Sequence, residues 1–142
     1  MKTVEEFLNS LADVYCRLKP SKYGIGVFAI RKIPKGTNPF IGCFDGEFIE
    51  IEKDIIDSLQ DKEVKQYIID LAPLQDEKFF VPSCGLQRVD LSFFLNHSKE
   101  PNMIEEGEGV DFIAARDIEI GEELTVDYTT YDDYSKTDES LK

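Results

Sequence analysis

The sequence has few of the residues from which metal and disulfide sites are built. It contains one histidine, His97, which excludes a multi-histidine metal site and leaves a Ser-His-Asp triad only if His97 itself is the base. Its three cysteines, Cys16, Cys43 and Cys84, are an odd number without a Cys-x-x-Cys pair. The sequence therefore predicts neither a disulfide framework nor a zinc cluster, and we expect no metal and reduced thiols.

Long apolar runs are also absent. No stretch reaches the roughly 18 apolar residues that a membrane span needs. Residues 1–6, Met-Lys-Thr-Val-Glu-Glu, lack the apolar region of a secretory signal. We expect a single-domain intracellular protein that does not bind membranes, in a compartment that the sequence does not indicate.

Basic residues are scarce relative to acidic ones. Sixteen Lys and Arg against 29 Asp and Glu give a net charge of −13, which argues against direct binding of nucleic acid. Residues 104–142 contain thirteen Asp or Glu and only three Lys or Arg. Such a surface can simply keep a small protein soluble, or it can attract a basic partner, and both interpretations remain open on charge alone.

The N-terminal region has a helical pattern. Thr3 and Glu6 form a capping-box pattern, and apolar residues then recur at three- and four-residue steps as far as Leu18. The pattern predicts an amphipathic helix that ends before Pro20. We therefore assign residues 1–19 to an N-terminal helix.

The following residues alternate between strand and helix patterns. Residues 26–33 are alternating and β-branched, residues 34–36 (Pro-Lys-Gly) form a turn, and further strand is expected from Pro39 to Ile51. Between Asp54 and Leu71 the apolar spacing predicts one helix, which stops at Pro73.

The C-terminal half is less regular. Residues 79–90 cannot be placed as strand or loop from their pattern. Short strands are predicted at residues 111–115 and 123–128, with a hairpin turn at residues 105–109. Residues 135–140 are polar and predict a frayed tail.

A Gly-x-Gly pair occurs at Gly24 and Gly26, between Tyr23 and a predicted strand. It lacks the spacing of a dinucleotide fingerprint and the Lys-Ser/Thr ending of a phosphate-binding loop. The pair can provide a turn with positive φ, or its bare backbone can admit a ligand close to the main chain.

A second motif is Asn96-His97-Ser98, which follows a buried apolar run at residues 93–95. Amide, imidazole and hydroxyl groups in a row need hydrogen-bond partners if they are buried. They can cap a turn closed by Pro101, or they can present donors and acceptors to the heterocycle of a ligand.

A third motif closes the last predicted strand. Tyr128 shares a strand face with Leu124 and Val126, so it should point toward the core. Its hydroxyl then makes a structural hydrogen bond or projects into a pocket at the strand end. Tyr131 and Tyr134 follow, either as an aromatic wall beside it or as surface residues of a turn.

Together these motifs resemble those of SET-domain lysine methyltransferases, in the order and at roughly the distances that this family shows. The resemblance spans residues 22–131. It implies an α+β, predominantly β fold, with several small antiparallel sheets around a C-terminal pseudoknot, an N-terminal helix and one inserted helix. The segments that carry it are Tyr23 to Ala29, Phe94 to Ser98 with Pro101 and Asn102, and Glu123 to Tyr128. We accordingly expect an N-terminal helix at 1–19, the SET domain at 20–135 and a polar tail at 136–142.

The resemblance implies a cofactor, a substrate and a set of site residues. Tyr128 is expected to be the active-site tyrosine, and S-adenosylmethionine the cofactor. The cofactor-binding residues implied are Tyr23, Gly24, Ile25, Gly26, Asn96 and His97. The substrate-channel residues implied are Phe44, Phe94 and Tyr131. The substrate is expected to be a lysine in a lysine-rich protein or peptide, histone-like or ribosomal, attracted by the acidic surface.

The sequence departs from the family pattern at several positions. Phe44 stands where many members have a tyrosine, so one channel hydroxyl is missing. Lys99 stands where many carry a cysteine, and no Cys-x-Cys cluster follows Tyr128, so the zinc-binding post-SET module is absent. Glu105 and Val126 fall at or near positions that other members use to restrict the number of methyl groups added, and the sequence does not predict that number.

These departures keep alternatives open. Without a post-SET module, the cover over the cofactor must come from the tail around Tyr131 and Tyr134, from a partner, or from a second copy of the chain in a homodimer. The main hypothesis is an active enzyme. The alternative is a catalytically weak SET-type binding module for basic peptides, and a third reading is an acidic interaction protein without this fold.

Overall fold

The computed structural model describes residues 3–40, 47–106 and 111–138, in which small β-sheets predominate over short helices. The strands are β1 Cys16–Ser21, β2 Gly24–Ala29, β3 Phe48–Glu52, β4 Leu74–Gln75, β5 Lys78–Pro82, β6 Asn96–His97, β7 Met103–Glu106, β8 Asp111–Ala114 and β9 Glu123–Val126. The helices are α1 Val4–Ser10, α2 Lys53–Asp57, α3 Lys62–Leu71 and α4 Asp133–Thr137. This confirms the expected α+β, predominantly β class. None of the helices described is long and apolar enough to cross a membrane.

The largest sheet has four strands in the order β1-β2-β9-β6. Strands β1 and β2 form an antiparallel hairpin, and β9 pairs antiparallel with β2 through Val27 and Leu124. On its other side β9 runs parallel to β6, with Asn96 opposite Thr125 and His97 opposite Val126. Strand β9 is therefore inserted between elements that precede it by tens of residues, and this insertion brings the three sequence motifs into one sheet.

Two smaller sheets complete the β structure. Strands β3, β5 and β4 form an antiparallel sheet with β5 in the centre, and β7 and β8 form a hairpin. Ile33 and Ile118 add an isolated antiparallel bridge.

The buried side chains form two clusters. The larger lies under the four-stranded sheet and the β7–β8 hairpin, and it includes Val27, Ile33, Met103, Leu124 and Val126. Leu124 and Val126 point inward because side chains alternate along β9, as the sequence predicted. A smaller cluster joins the three-stranded sheet to α2 and α3, which lie between β3 and β4 in the chain. Its members are Ile56, Ile68, Ala72, Leu74, Phe79 and Val81.

The N-terminal helix is shorter than predicted. The capping box is confirmed, because Glu6 N donates to Thr3 Oγ1 at 3.1 Å and Thr3 N donates to Glu6 Oε2 at 2.9 Å. Helix α1 nevertheless ends at Ser10, and the prediction of helix as far as Pro20 was wrong. Residues 16–21 instead pair along their full length with β2. Proline is tolerated there because β1 is an edge strand.

The helical pattern after residue 53 forms α2 and α3 rather than one helix. Asp61 separates them, because its side chain accepts hydrogen bonds from the backbone N–H groups of Glu63 and Val64 and caps α3. The strand predicted from Pro39 to Ile51 is confirmed at its end by β3, lies outside the described residues at 41–46, and is wrong at residues 39–40. Asn38 Oδ1 accepts from Phe40 N at 2.8 Å, which closes a turn.

Three further expectations for the C-terminal half are corrected. Glu105 and Glu106 belong to strand β7 rather than to a turn, while residues 107–109 lie outside the described residues. Strand β9 ends at Val126, and Tyr128 begins a 3-10 helix. The expected frayed tail begins with helix α4 instead, in which Ser135 is buried and donates to Asp132 Oδ2.

Candidate active site

The phenol of Tyr128 is held at two points. Its hydroxyl donates to the backbone carbonyl of Leu95 at 2.6 Å, and its backbone N–H donates to His97 Nδ1 at 3.0 Å. The imidazole also lies against the phenol ring, with 5.2 Å between ring centroids. These contacts join the end of β9 to β6, so the position of the hydroxyl is fixed by the parallel pairing of the two strands.

The environment of Tyr128 keeps its hydroxyl protonated. Burial raises the pKa of Tyr128 to about 12, and the negative charges of Glu123 and Asp132 act in the same direction. At neutral pH the side chain is therefore a neutral phenol that donates to Leu95. It can also accept a hydrogen bond, but it is not a phenolate base.

One carboxylate links the three sequence motifs. Asn96 Nδ2 donates to Ile25 O at 3.1 Å and to Glu123 Oε2 at 2.7 Å. Glu123 Oε1 accepts from Ser21 Oγ at 3.0 Å. The glycine motif, the Asn-His motif and the last strand are thus tied together through Glu123, a residue that sequence reasoning had not singled out.

Glycine is required at the two positions of the first motif for different structural reasons. At Gly26 a Cβ would overlap Glu123 Oε2 and lie 2.9 Å from Glu123 Cδ, so this bare backbone admits a protein carboxylate. Gly24 has φ 108° with open space above it, in the region that favours glycine. Its neighbours Tyr23 and Ile25 are 61% and 54% exposed. An open apolar surface therefore lies beside the amide of Asn96.

A group of aromatic rings lies next to the Tyr128 hydroxyl. The ring of Tyr131 meets Phe112 edge-on at 5.5 Å and Tyr128 at 6.2 Å between centroids. We call Tyr128, Tyr131 and Phe112 the aromatic corner. Burial raises the pKa of Tyr131 well above its ordinary range, and the charges of Asp132 and Glu105 contribute. The corner is thus apolar in its ring faces and surrounded by negative charge.

Of the two later tyrosines, only Tyr131 has a ring contact with Tyr128 among the described residues. Tyr134 stacks on Phe79 at 5.9 Å and belongs to the smaller core cluster. Leu74 N donates to Asp132 Oδ1, and Asp76 N donates to Asp133 Oδ2, which fixes the chain around α4 against the β4–β5 turn. Tyr134 therefore packs on the smaller core cluster and not beside Tyr128.

Phe94 and Phe44 were also predicted to line a substrate channel. Phe94 packs against the larger core cluster, as do Tyr128 and Tyr131, and its role in a substrate channel remains a prediction. Phe44 lies outside the described residues. The predicted cofactor residues and Tyr128 converge on the four-stranded sheet. They are Tyr23, Gly24, Ile25, Gly26, Asn96 and His97.

Asn102 supports the site from behind. It is buried, its Nδ2 donates to Glu123 O at 2.8 Å, and its Oδ1 accepts from Thr125 N at 2.8 Å. Its side chain thus bonds the backbone of β9 as a neighbouring strand would. The sequence offered a signal for this role, because an asparagine directly after Pro101 in a buried segment must find partners for its amide.

Comparison with known families agrees with this geometry. The model of the SET domain family matches residues 24–129, and a search of curated proteins gave no match. The match covers most of the chain, and the chain belongs to the SET domain family. Members of this family are typically protein methyltransferases that use S-adenosylmethionine.

Proposed function

We propose that this protein transfers a methyl group from S-adenosylmethionine to a lysine side chain in a basic protein segment, such as a histone-like tail or a ribosomal protein. One observation carries the proposal. The hydroxyl of Tyr128 is fixed by Leu95 in the aromatic corner, directly after β9 of the sheet that holds the Gly-x-Gly and Asn-His motifs. Such an arrangement positions a hydrogen-bonding oxygen at the end of an apolar wall.

The residues present suit an adenosyl group. The exposed side chains of Tyr23 and Ile25 and the open backbone at Gly24 offer an apolar surface to a flat ring, and Asn96 and His97 supply polar edges beside it. When bound there, S-adenosylmethionine supplies a methyl group activated by its sulfonium charge. The Glu123 carboxylate takes the space that a side chain at Gly26 would occupy. In this proposal Gly26 therefore acts indirectly, by leaving room for the carboxylate that holds Asn96 in place.

The protein groups act on the lysine amine by position and by desolvation. The rings of the aromatic corner pack on the aliphatic stem of lysine and exclude water. This desolvation favours the reactive neutral amine, whereas the carboxylates around the corner favour its charged form. The Tyr128 hydroxyl donates its hydrogen bond to Leu95 O. The lone pairs of the hydroxyl oxygen are then available to accept an N–H of the amine and orient it. Because the phenol stays neutral, the proton lost by the lysine ammonium passes to solvent rather than to Tyr128. Orientation then supplies much of the rate.

The test is transfer of labelled methyl to a panel of basic proteins and peptides by the wild type and by Tyr128→Phe. We expect Tyr128→Phe to lose about 100-fold or more in kcat, the usual cost of an oriented hydrogen-bonding group at a reaction centre. Its affinity for S-adenosylmethionine, measured by calorimetry, should change by less than about threefold, since the ring and the cofactor surface are intact. Near wild-type turnover in this variant would contradict the role of Tyr128.

Tyr67→Phe is the matched control. The hydroxyl of Tyr67 also donates to a backbone carbonyl, that of Leu86 at 2.9 Å, but it lies on α3 away from the sheet. This variant should keep wild-type transfer. If the wild type binds cofactor and basic peptide but transfers no methyl, the alternative of a SET-type binding module is favoured. If it binds neither, both functions fail.

A further inference from the structure

We propose that the carboxylate of Glu105 binds the cationic amine of the substrate side chain at the aromatic corner. The identification of this cation as the substrate lysine rests on the proposed function. Independently of that function, the rings and the carboxylate together suit a primary alkylammonium group.

The β7–β8 hairpin sets the position of Glu105. Glu105 on β7 is the cross-strand partner of Phe112 on β8, and paired residues of an antiparallel hairpin project from the same face. The ring of Phe112 in turn contacts Tyr131 edge-on. Glu105 is half-buried, whereas its neighbours Ile104 and Glu106 are exposed. The alternation along β7 therefore directs Glu105, and not Glu106, toward the rings.

The carboxylate of Glu105 is partly removed from water. Within residues 3–40, 47–106 and 111–138, no hydrogen bond or ion pair reaches the Glu105 side chain. Partial burial raises its pKa, which reflects the cost of a charge removed from water without a partner. An ammonium ion placed against it would offset that cost.

The groups around the corner are aromatic and mainly acidic. Ring faces attract cations through their quadrupole, and a carboxylate beside them adds direct charge attraction. The other charged groups that act on these rings are also acidic. Asp132 and Glu123 raise the pKa of Tyr128, and Asp127 and Asp132 raise that of Tyr131. His97 also lies against the Tyr128 ring, and its Nδ1 accepts from Tyr128 N and lies 3.7 Å from Asp127 Oδ1. The corner as a whole favours a cation over a neutral group of the same shape.

The experiment uses n-butylammonium chloride as the probe and n-butanol as its neutral analogue. The full-length wild type, Glu105→Gln and Glu106→Gln are titrated at constant ionic strength, with NMR detection of the ring resonances of the aromatic corner. Glu106→Gln removes the same charge one residue away, on the exposed face of the same strand. Both glutamine variants should fold, because neither carboxylate has a hydrogen bond within the described part of the chain to lose.

We expect the wild type and Glu106→Gln to bind butylammonium about tenfold more tightly than butanol, as for a close, partly desolvated charge pair. Glu105→Gln should lose most of this preference and keep only the part that the rings and the other carboxylates around them contribute. The proposal is overturned if Glu105→Gln keeps the full preference of the wild type, or if butylammonium does not shift the rings of the wild type.

Methyl transfer, measured separately, distinguishes this proposal from the proposed function. A preference for butylammonium without methyl transfer would support the cation site and contradict the proposed function. Methyl transfer without that preference would support the proposed function and contradict the cation site. In an active enzyme, Glu105→Gln should raise KM for a lysine peptide about tenfold without lowering kcat, because the carboxylate attracts the substrate and also favours its unreactive charged form.

Discussion

The two buried tyrosines of the site stay neutral at physiological pH. Burial is the main cause of the raised pKa of both Tyr128 and Tyr131, and nearby carboxylates reinforce it. Neither hydroxyl ionises in the physiological range. The pH dependence of methyl transfer near neutrality should therefore report the substrate amine and the carboxylates around it rather than either phenol.

The same two residues predict a loss of stability at alkaline pH. The pKa of Tyr128 is about 12 in the folded protein, against about 10 in an unfolded chain. As pH rises above about 10, the unfolded chain releases this proton while the folded chain retains it, so stability falls by about 1.4 kcal/mol per pH unit for each such tyrosine. Tyr131, whose pKa is raised further, behaves in the same way.

Urea unfolding of Tyr131→Phe between pH 8 and pH 11 tests this linkage. The free energy of unfolding should fall less steeply with pH in this variant than in the wild type, by the slope of one tyrosine. Tyr23→Phe is the control, because the Tyr23 ring is 61% exposed, and it should follow the wild type. Identical slopes for Tyr131→Phe and the wild type would refute the prediction.

At the scale of elements, the first residue of β9 organises the sheet. The side chain of Glu123 contacts β1 through Ser21 and β6 through Asn96, and it covers Gly26 of β2. Its backbone carbonyl accepts from Asn102. Because these contacts use both carboxylate oxygens, Glu123 acts as a positioning residue for the Asn-His motif.

Gly26→Ala should therefore disturb the sheet through Glu123. The added methyl group would overlap Glu123 Oε2 and lie 3.1 Å from Ser21 Cβ, and overpacking of this kind costs about 1–3 kcal/mol. Removing the carboxylate in Gly26→Ala/Glu123→Ala relieves the overlap. In a double-mutant cycle of urea unfolding, the double variant should lose at least about 1 kcal/mol less than the sum of the single variants. Simple additivity would show that the overlap is not the cause.

The elements show how far local pattern predicts this fold. The capping box at Thr3 and the alternation of Leu124 and Val126 depend on neighbours in sequence, and both were predicted correctly. The end of α1 was not, because pairing of residues 16–21 with β2 overrides a helical spacing that continues to Leu18.

The same limit applies to the site. The motif residues around Tyr128 could be identified from their order in the chain. The contact of Asn96 with Glu123, across 27 positions, depends on tertiary pairing and leaves no local signal. The same is true of the edge-on contact of Phe112 with Tyr131.

At the scale of the whole molecule, the excess of acidic residues produces a negative potential that would attract a basic partner. The net charge is −13, and the C-terminal third, which contains Tyr128, is its most acidic part. Attraction of this kind is screened over about 8–10 Å at physiological ionic strength, so it should act on substrate capture more than on chemistry.

If this field steers the proposed substrate, KM for a basic peptide should rise about tenfold or more as salt increases from about 0.05 M to about 0.5 M, with little change in kcat. Initial rates across that series provide the measurement. A peptide with the same lysine and uncharged flanking residues is the control and should respond weakly. Equal responses of the two peptides would reduce the charge to a role in solubility.

The insertion of β9 also dictates when the molecule can fold. Strands β2 and β6 lie on either side of β9 and have no common sheet until residues 123–126 arrive between them. On the ribosome, the segments that precede this strand must wait for its synthesis, and only local units such as the β1–β2 and β7–β8 hairpins can form earlier. Contacts of such long sequence separation slow folding, typically to milliseconds or seconds. The assembly of the four-stranded sheet is therefore expected to be the slowest step in the folding of this domain.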